Sequence, residues 1–127
     1  MPPLTILVVD DDADIRRIAA LSLERIGGFK VVLASSGEEA LRLAADSPPG
    51  AVLLDVSMPG ADGPDTLAAL RAIPAMRDVP VLFFTATASD AEVRRLCGLG
   101  AAGVVAKPFE LADLPRTVSA ILRRAGL

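Results

Sequence analysis

The chain has 127 residues, 52% of them apolar, and 13 Lys+Arg against 16 Asp+Glu give a formal net charge of −3. This is one ordinary domain with a single core, without the basic stripe a nucleic-acid partner needs and without the His, Tyr or Trp of imidazole triads, zinc sites and most stacking pockets. No apolar run approaches the roughly 20 residues of a bilayer span, the Met-Pro-Pro start is not a secretory leader, and the lone Cys97 forms no internal disulfide; a cytoplasmic protein without membrane insertion is expected.

Five short apolar runs alternate with five helical patterns. The first run, 6–9, is followed by Asp12, which caps a helix with the apolar face Ile15, Ile18, Ala19, Ser22 and Ile26, ending at Gly27. After the run 31–34, Ser36 with Glu39 has capping-box spacing for a second helix. A loop over 46–50 leads to the third run, 51–54. Asp62 caps the third helix, with Pro64 in its first turn and a stop near Ile73-Pro74. The fourth run, 79–84, precedes a second capping-box pair, Ser89 and Glu92, on a helix in which Cys97 reads as a small buried hydrophobe and Gly100 as the stop. The fifth run, 103–106, leads to a last helix starting near Asp113, with Pro115 in its first turn, and running to about Arg124.

The runs are continuous rather than alternating and rich in β-branched residues, as strands covered on both faces are. Strand–helix repetition five times predicts an α/β, doubly wound (flavodoxin-like) fold with a five-stranded parallel sheet of order 2-1-3-4-5, one domain spanning 1–127. In such a fold ligands bind beyond the carboxyl ends of the strands. Those ends carry Asp10, Asp11 and Asp12, then Asp55, Thr85 and Lys107-Pro108. Asp12 and Asp62 are accounted for as helix caps; Asp55, seven residues before the next cap, is badly placed to be one. Carboxylates so close repel unless a hard cation compensates them, and an all-oxygen set suits Mg²⁺. A Mg²⁺ site, one lysine and one hydroxyl are the parts that hold a phosphoryl group, with Asp55, the most central carboxylate, as nucleophile.

The strings "ILVVDDD" (6–12), "LLDVSMPGADG" (53–63), "VLFFTA" (81–86), "GA" (100–101) and "KPF" (107–109) resemble the receiver domain of two-component response regulators, of the single-domain chemotaxis type. The likeness covers the whole chain and implies a stand-alone receiver with no output domain. It implies that Asp55 accepts phosphate from a sensor histidine kinase or histidine phosphotransfer protein. It further implies that Asp11, Asp55 and the Ser57 carbonyl ligate Mg²⁺ directly, with Asp10 acting through water. By the same resemblance Lys107 pairs with the phosphoryl oxygens after a cis Lys107-Pro108 bond, and Thr85 swings towards the phosphate beside the small Ala86. Ser57 and Thr87 then set the phosphoryl lifetime, and the pocket later orients a hydrolytic water. Such a chain is no enzyme towards other substrates, signals to a downstream effector protein, and is a monomer or weak dimer.

Val104 departs from the family pattern, standing where many receivers have an aromatic that changes rotamer. It is the support for a rival reading, a pseudo-receiver that binds partners without phosphorylation. A phosphohydrolase of the haloacid-dehalogenase type needs a second Asp where Ser57 stands, and a flavin carrier needs flanking Tyr or Trp. The pairs Arg16-Arg17 and Arg94-Arg95 read as solvated faces, with Arg16 and Arg17 near enough to the crevice to help dock a kinase. Phe109 reads as an exposed contact for the same partner.

Overall fold

The computed structural model describes residues 3–60 and 62–127; Met1, Pro2 and Ala61, which fall in the chain start and in the 53–63 string, lie outside the described residues. Five strands, β1 (Thr5–Val9), β2 (Lys30–Ala34), β3 (Ala51–Asp55), β4 (Val81–Thr85) and β5 (Gly103–Ala106), form one parallel sheet of order β2-β1-β3-β4-β5. The helices are α1 (Ala13–Leu21), α2 (Gly37–Asp46), α3 (Gly63–Arg71), α4 (Asp90–Gly98) and α5 (Leu114–Arg124). The predicted fold class and strand order are the observed ones. No helix among the described residues is long and apolar enough to cross a membrane.

Alternation along the strands divides the core into two layers. Leu7, Val9, Val52, Leu54, Val81 and Phe83 face α2, α3 and α4, where they meet Ala40, Leu67, Leu70 and Leu96. Ile6, Val8, Leu53, Leu82 and Phe84 face the opposite way, onto Leu23 of the α1 segment and Val118, Ile121 and Leu122 of α5. Every residue of β3 and β4 is buried, whereas the edge strand β2 is buried only at Ala34. Continuous apolar runs are therefore a property of the sheet's centre more than of its edges.

Most helix starts follow the sequence. Asp12 accepts the N–H groups of Asp14 and Ile15, Asp62 that of Asp65, Ser36 that of Glu39 and Ser89 that of Glu92. Neither capping box closes in the reciprocal way: Glu39 accepts the N–H of Ser35 at 2.7 Å, and Glu92 takes Arg95 Nε at 2.7 Å. Asp113 is not a side-chain cap, because its backbone is already helical (φ −89°, ψ −30°) and its carboxylate pairs with Arg116.

Other expectations change as well. The fourth strand begins at Val81, not at residue 79, since Val79 bonds instead to Met76 through its N–H and to Arg71 through its carbonyl. A π-helical turn, Ser22–Ile26, follows α1 and shifts the register of its apolar face. Ile26, at the end of the turn, is thereby 55% exposed, whereas Leu23, four residues after the buried Ala19, is buried and Ile18, ahead of the turn, is 40% exposed. Cys97 is exposed, because the buried position of α4 falls on its neighbour Leu96. Gly100 does end that helix region with a positive φ of 107°.

At the amino ends of β4 and β5, Arg71 Nη1 donates to the carbonyls of Met76 at 2.8 Å and Val79 at 2.6 Å, and Nη2 donates to Gly100 at 3.4 Å. At the opposite rim, Gly63 lets α3 start directly against β3. A Cβ there would lie 2.6 Å from the Asp55 carbonyl, 2.8 Å from Val56 Cα and 2.8 Å from the Phe83 ring. Backbone cannot yield as a side chain does, so Gly63→Ala is expected to cost about 2 kcal/mol of stability, measured as a lower urea midpoint at unchanged m-value.

Candidate functional site

The parallel sheet brings four strand ends to one rim. Asp10 and Asp11 follow β1, Asp55 and Thr85 are the last residues of β3 and β4, and Lys107 follows β5. Lys107 Nζ lies 2.7 Å from Asp10 Oδ2 and 3.2 Å from Asp55 Oδ1. Asp10 is wholly buried, and its other oxygen accepts the Asp12 N–H at 2.9 Å. Asp55 is 5% exposed and Oδ1 also accepts the Ser57 N–H at 3.3 Å. Asp11 is exposed. Beside them an open hollow of about 260 Å³ is lined by Asp55, Val56, Ser57, Thr85, Ala86, Thr87, Glu92 and Lys107.

The lysine is held from below as well as from the side. Its Nζ sits 5.6 Å from the centroid of the Phe84 ring, and Phe84 stacks on Phe109 with centroids 5.4 Å apart. Phe109 is thus half-buried in the core rather than an exposed contact. The Lys107-Pro108 bond is cis, as expected. Thr85 is in the rim but turned along its own loop: its Oγ1 accepts the Thr87 N–H at 3.0 Å and donates to the Thr87 carbonyl at 3.3 Å.

At the site, Arg16 plays a part other than the one read from the sequence, and Glu92 and Phe84 escaped that reading. Arg16 is no simple solvated residue, because its Nη1 donates to the Asp10 carbonyl at 2.8 Å and ties α1 to the end of β1. Glu92 was assigned only to a helix start, yet it lines the hollow. Phe84 supports the lysine; its place one residue before Thr85 was the available signal, since alternation sends it to the opposite face. Arg17 and Arg95 make exposed ion pairs with Asp14 and Glu92.

The electrostatics are unbalanced. One carboxylate oxygen from each of Asp10, Asp11 and Asp55 lies within 4.8 Å of the others, and Lys107 is the one ammonium among them. Burial, then the charge of Asp10, raises the pKa of Asp55; the hydrogen bond and charge of Lys107 oppose this without cancelling it. For Lys107, burial lowers the pKa, but hydrogen bonding and attraction, first to Asp10 and then to Asp55, outweigh it and leave it raised.

This donor set fits a hard divalent cation. The second oxygen of Asp55, the Asp11 carboxylate and the Ser57 carbonyl accept no hydrogen bond among the described residues, so three acceptors are available to a metal. Asp10, with both oxygens engaged, is suited to acting through water.

Two stability effects follow for metal-free protein. Lys107→Met leaves the buried Asp10 without its cation and is expected to destabilise the fold by roughly 3 kcal/mol in urea titrations with EDTA. Asp55 has the opposite sign. A raised carboxyl pKa favours the fold while the group is protonated, and that contribution is lost as pH rises through the folded value. Asp55→Asn is therefore expected to raise Tm at pH 7 in EDTA by roughly 4 °C, the shift of about 1 kcal/mol in a domain of this size.

The family model for the response regulator receiver domain matches residues 6–119. "Transcriptional regulatory protein PrrA" of Mycobacterium tuberculosis is 44% identical over 123 residues, covering 95% of this chain and 51% of that protein. "Response regulator MprA" of Mycobacterium sp. (strain KMS) is 44% identical over 126 residues, covering 98% and 53%. The chain thus spans about half the length of the curated relatives it matches. Among solved structures, the chemotaxis response regulator CheY4 of Vibrio cholerae superposes with a TM-score of 0.84 at 29% identity, covering 97% of this chain and 98% of that one. The N-terminal domain of a response regulator receiver protein from Methanoculleus marisnigri superposes at 0.76 with 38% identity, covering 94% and 96%. With its acid cluster, lysine and strand order in place, the chain belongs to the response regulator receiver domain family.

Proposed function

We propose that this receiver is a phosphorylation-controlled switch in which Asp55 takes a phosphoryl group from a phosphohistidine on a sensor histidine kinase or histidine phosphotransfer protein. The observation that carries the reading is Lys107 Nζ shared between Asp10 and Asp55 at the edge of an open hollow. An unbonded Asp55 oxygen attacks phosphorus, the O–P bond forms as the N–P bond to the donor imidazole breaks, and the chain itself, lacking histidine, supplies no donor. Lys107 then exchanges part of its bonding to Asp55 for the incoming phosphoryl oxygens, so their charge is met without solvent reorganisation. Asp11, Asp55 and the Ser57 carbonyl, with Asp10 through water, would hold Mg²⁺, which would supply the further positive charge that three carboxylates and a phosphoryl group require.

Conformational output follows from Thr85. The new anion offers the Thr85 hydroxyl a stronger acceptor than the Thr87 carbonyl it now meets at 3.3 Å, so the β4–α4 loop shifts towards the phosphate. Val104 packs against the α2–α4 layer of the core, and a short, β-branched aliphatic cannot swing between inward and outward states as an aromatic does; the change is carried by loop ordering. Ser57 and Thr87, at the mouth of the hollow, control access of the water that later hydrolyses the acyl phosphate. The protein turns over no other substrate. It works in the cytoplasm and passes its state to a partner protein surface, in trans or within a longer chain; the relatives named as transcriptional regulators support such an output.

Incubation with acetyl phosphate or phosphoramidate and Mg²⁺ is expected to add one phosphoryl group per chain by intact-mass spectrometry, with none in EDTA and none for Asp55→Asn. Equal labelling of Asp55→Asn overturns the assignment. No uptake by the wild type, with Mg²⁺ bound weakly, favours the pseudo-receiver for which Val104 speaks.

A further inference from the structure

Among the described residues, two polar side chains outside the acid cluster are buried almost completely, Ser22 at 0% and Thr66 at 1% exposure. Thr66 donates within its own helix, to the Asp62 carbonyl at 2.9 Å. Ser22 reaches across 89 residues of sequence: its Oγ donates to the Leu111 carbonyl at 2.6 Å. It does so from the start of the π-helical turn, whose wide closure is the bond from the Gly27 N–H to the Ser22 carbonyl at 3.2 Å. Turns of this kind recur where a helix has been adapted to a task.

The acceptor lies in the segment that carries the site's cation. Leu111 is four residues after Lys107, with its side chain 42% exposed and its carbonyl turned in to Ser22. This segment is pinned at Lys107, whose N–H meets the Thr85 carbonyl at 2.8 Å, and at Phe109 by stacking on Phe84. The Ser22 bond is its tether to the α1 segment. We infer that Ser22 is a positioning residue for the phosphoacceptor site, acting on Lys107 through the loop between β5 and α5. The inference rests on the phosphoacceptor reading proposed above. It separates two parts of the site: the Ser22 side chain makes no bond to Asp10 and Asp11, which follow β1, or to Asp55, which ends β3, whereas the ammonium stands on the segment it does bond.

The test compares wild type, Ser22→Ala and Ser22→Cys in three measurements. These are the labelling rate at saturating acetyl phosphate and Mg²⁺, Mg²⁺ affinity by calorimetry, and the side-chain signals of ¹³C-lysine in metal-free protein. The chain has two lysines, so Lys30 serves as internal reference. Ser22→Ala is expected to slow labelling about tenfold, within the range for misplacing a reacting group by less than about 1 Å. Its Mg²⁺ affinity is expected to be unchanged or higher, because a loosened ammonium competes less for the carboxylates. The Lys107 signal moves, the Lys30 signal does not, and Ser22→Cys, with a weak donor of similar size, falls between.

A wild-type labelling rate with an unmoved Lys107 signal overturns the inference, as does a parallel loss of rate and Mg²⁺ affinity, which marks general loosening. If Ser22→Ala does not fold, the cysteine variant carries the same comparisons. If the wild type takes no phosphate, the phosphoacceptor reading fails, and the Lys107 signal alone decides whether the tether exists.

Discussion

An ammonium shared by two buried carboxylates is the interaction on which the rim depends. Asp10 is fully enclosed, and a charge so placed is tolerated only because Lys107 lies 2.7 Å away and the Asp12 amide supports the other oxygen. Asp55 receives the weaker share, at 3.2 Å, and keeps an oxygen without a partner among the described residues. The resting site is thus satisfied at Asp10 and under-satisfied at Asp55. That asymmetry accords with the proposed phosphoacceptor role of Asp55, since a reacting group there takes up bonding capacity the fold has left open.

The sheet makes this arrangement inexpensive to hold. Five parallel strands with their ladders intact put every carboxyl end on one rim, and β1 and β3 lie side by side although their connections leave to opposite faces. The side chains below the rim are buried and close-packed on both faces, so the strands fix the acids while the loops above them remain free to respond. Phe84 belongs to both worlds. It fills the α1–α5 layer, and its ring carries Lys107 and Phe109 on the side towards the site.

The fold and the acid–lysine–threonine rim were readable because each rests on a local rule: continuous apolar runs, cap residues, and Asp or Lys at strand ends. Asp12, Asp62, Ser36 and Ser89 all cap as their spacing implies. What was not readable required knowing which atoms meet across long sequence distances. The bond from Ser22 to Leu111, the Phe84–Phe109 stack and the reach of Arg16 to a backbone carbonyl have no local signature. The misassigned face of α1 has a definite cause as well. A helical wheel assumes constant pitch, and the π-helical turn at Ser22–Ile26 breaks it, carrying Ile26 out of the core. Cys97 missed burial by a single position, with Leu96 taking the inward place.

Arg71 has a consequence for where this molecule can move. One guanidinium gathers the carbonyls of Met76, Val79 and Gly100, stitching together the segments that enter β4 and β5 at the end remote from the acids. Backbone groups that would otherwise look to solvent are bound there by a cation, which raises the free energy of local opening at that pole. Among the described residues the opposite pole has no such stitch across its β4–α4 loop, where Thr85 and Thr87 bond to each other. Any rearrangement provoked at the acids is therefore channelled along the upper loops and kept from dissipating through the base, as a hinge works only when its other leaf is screwed down.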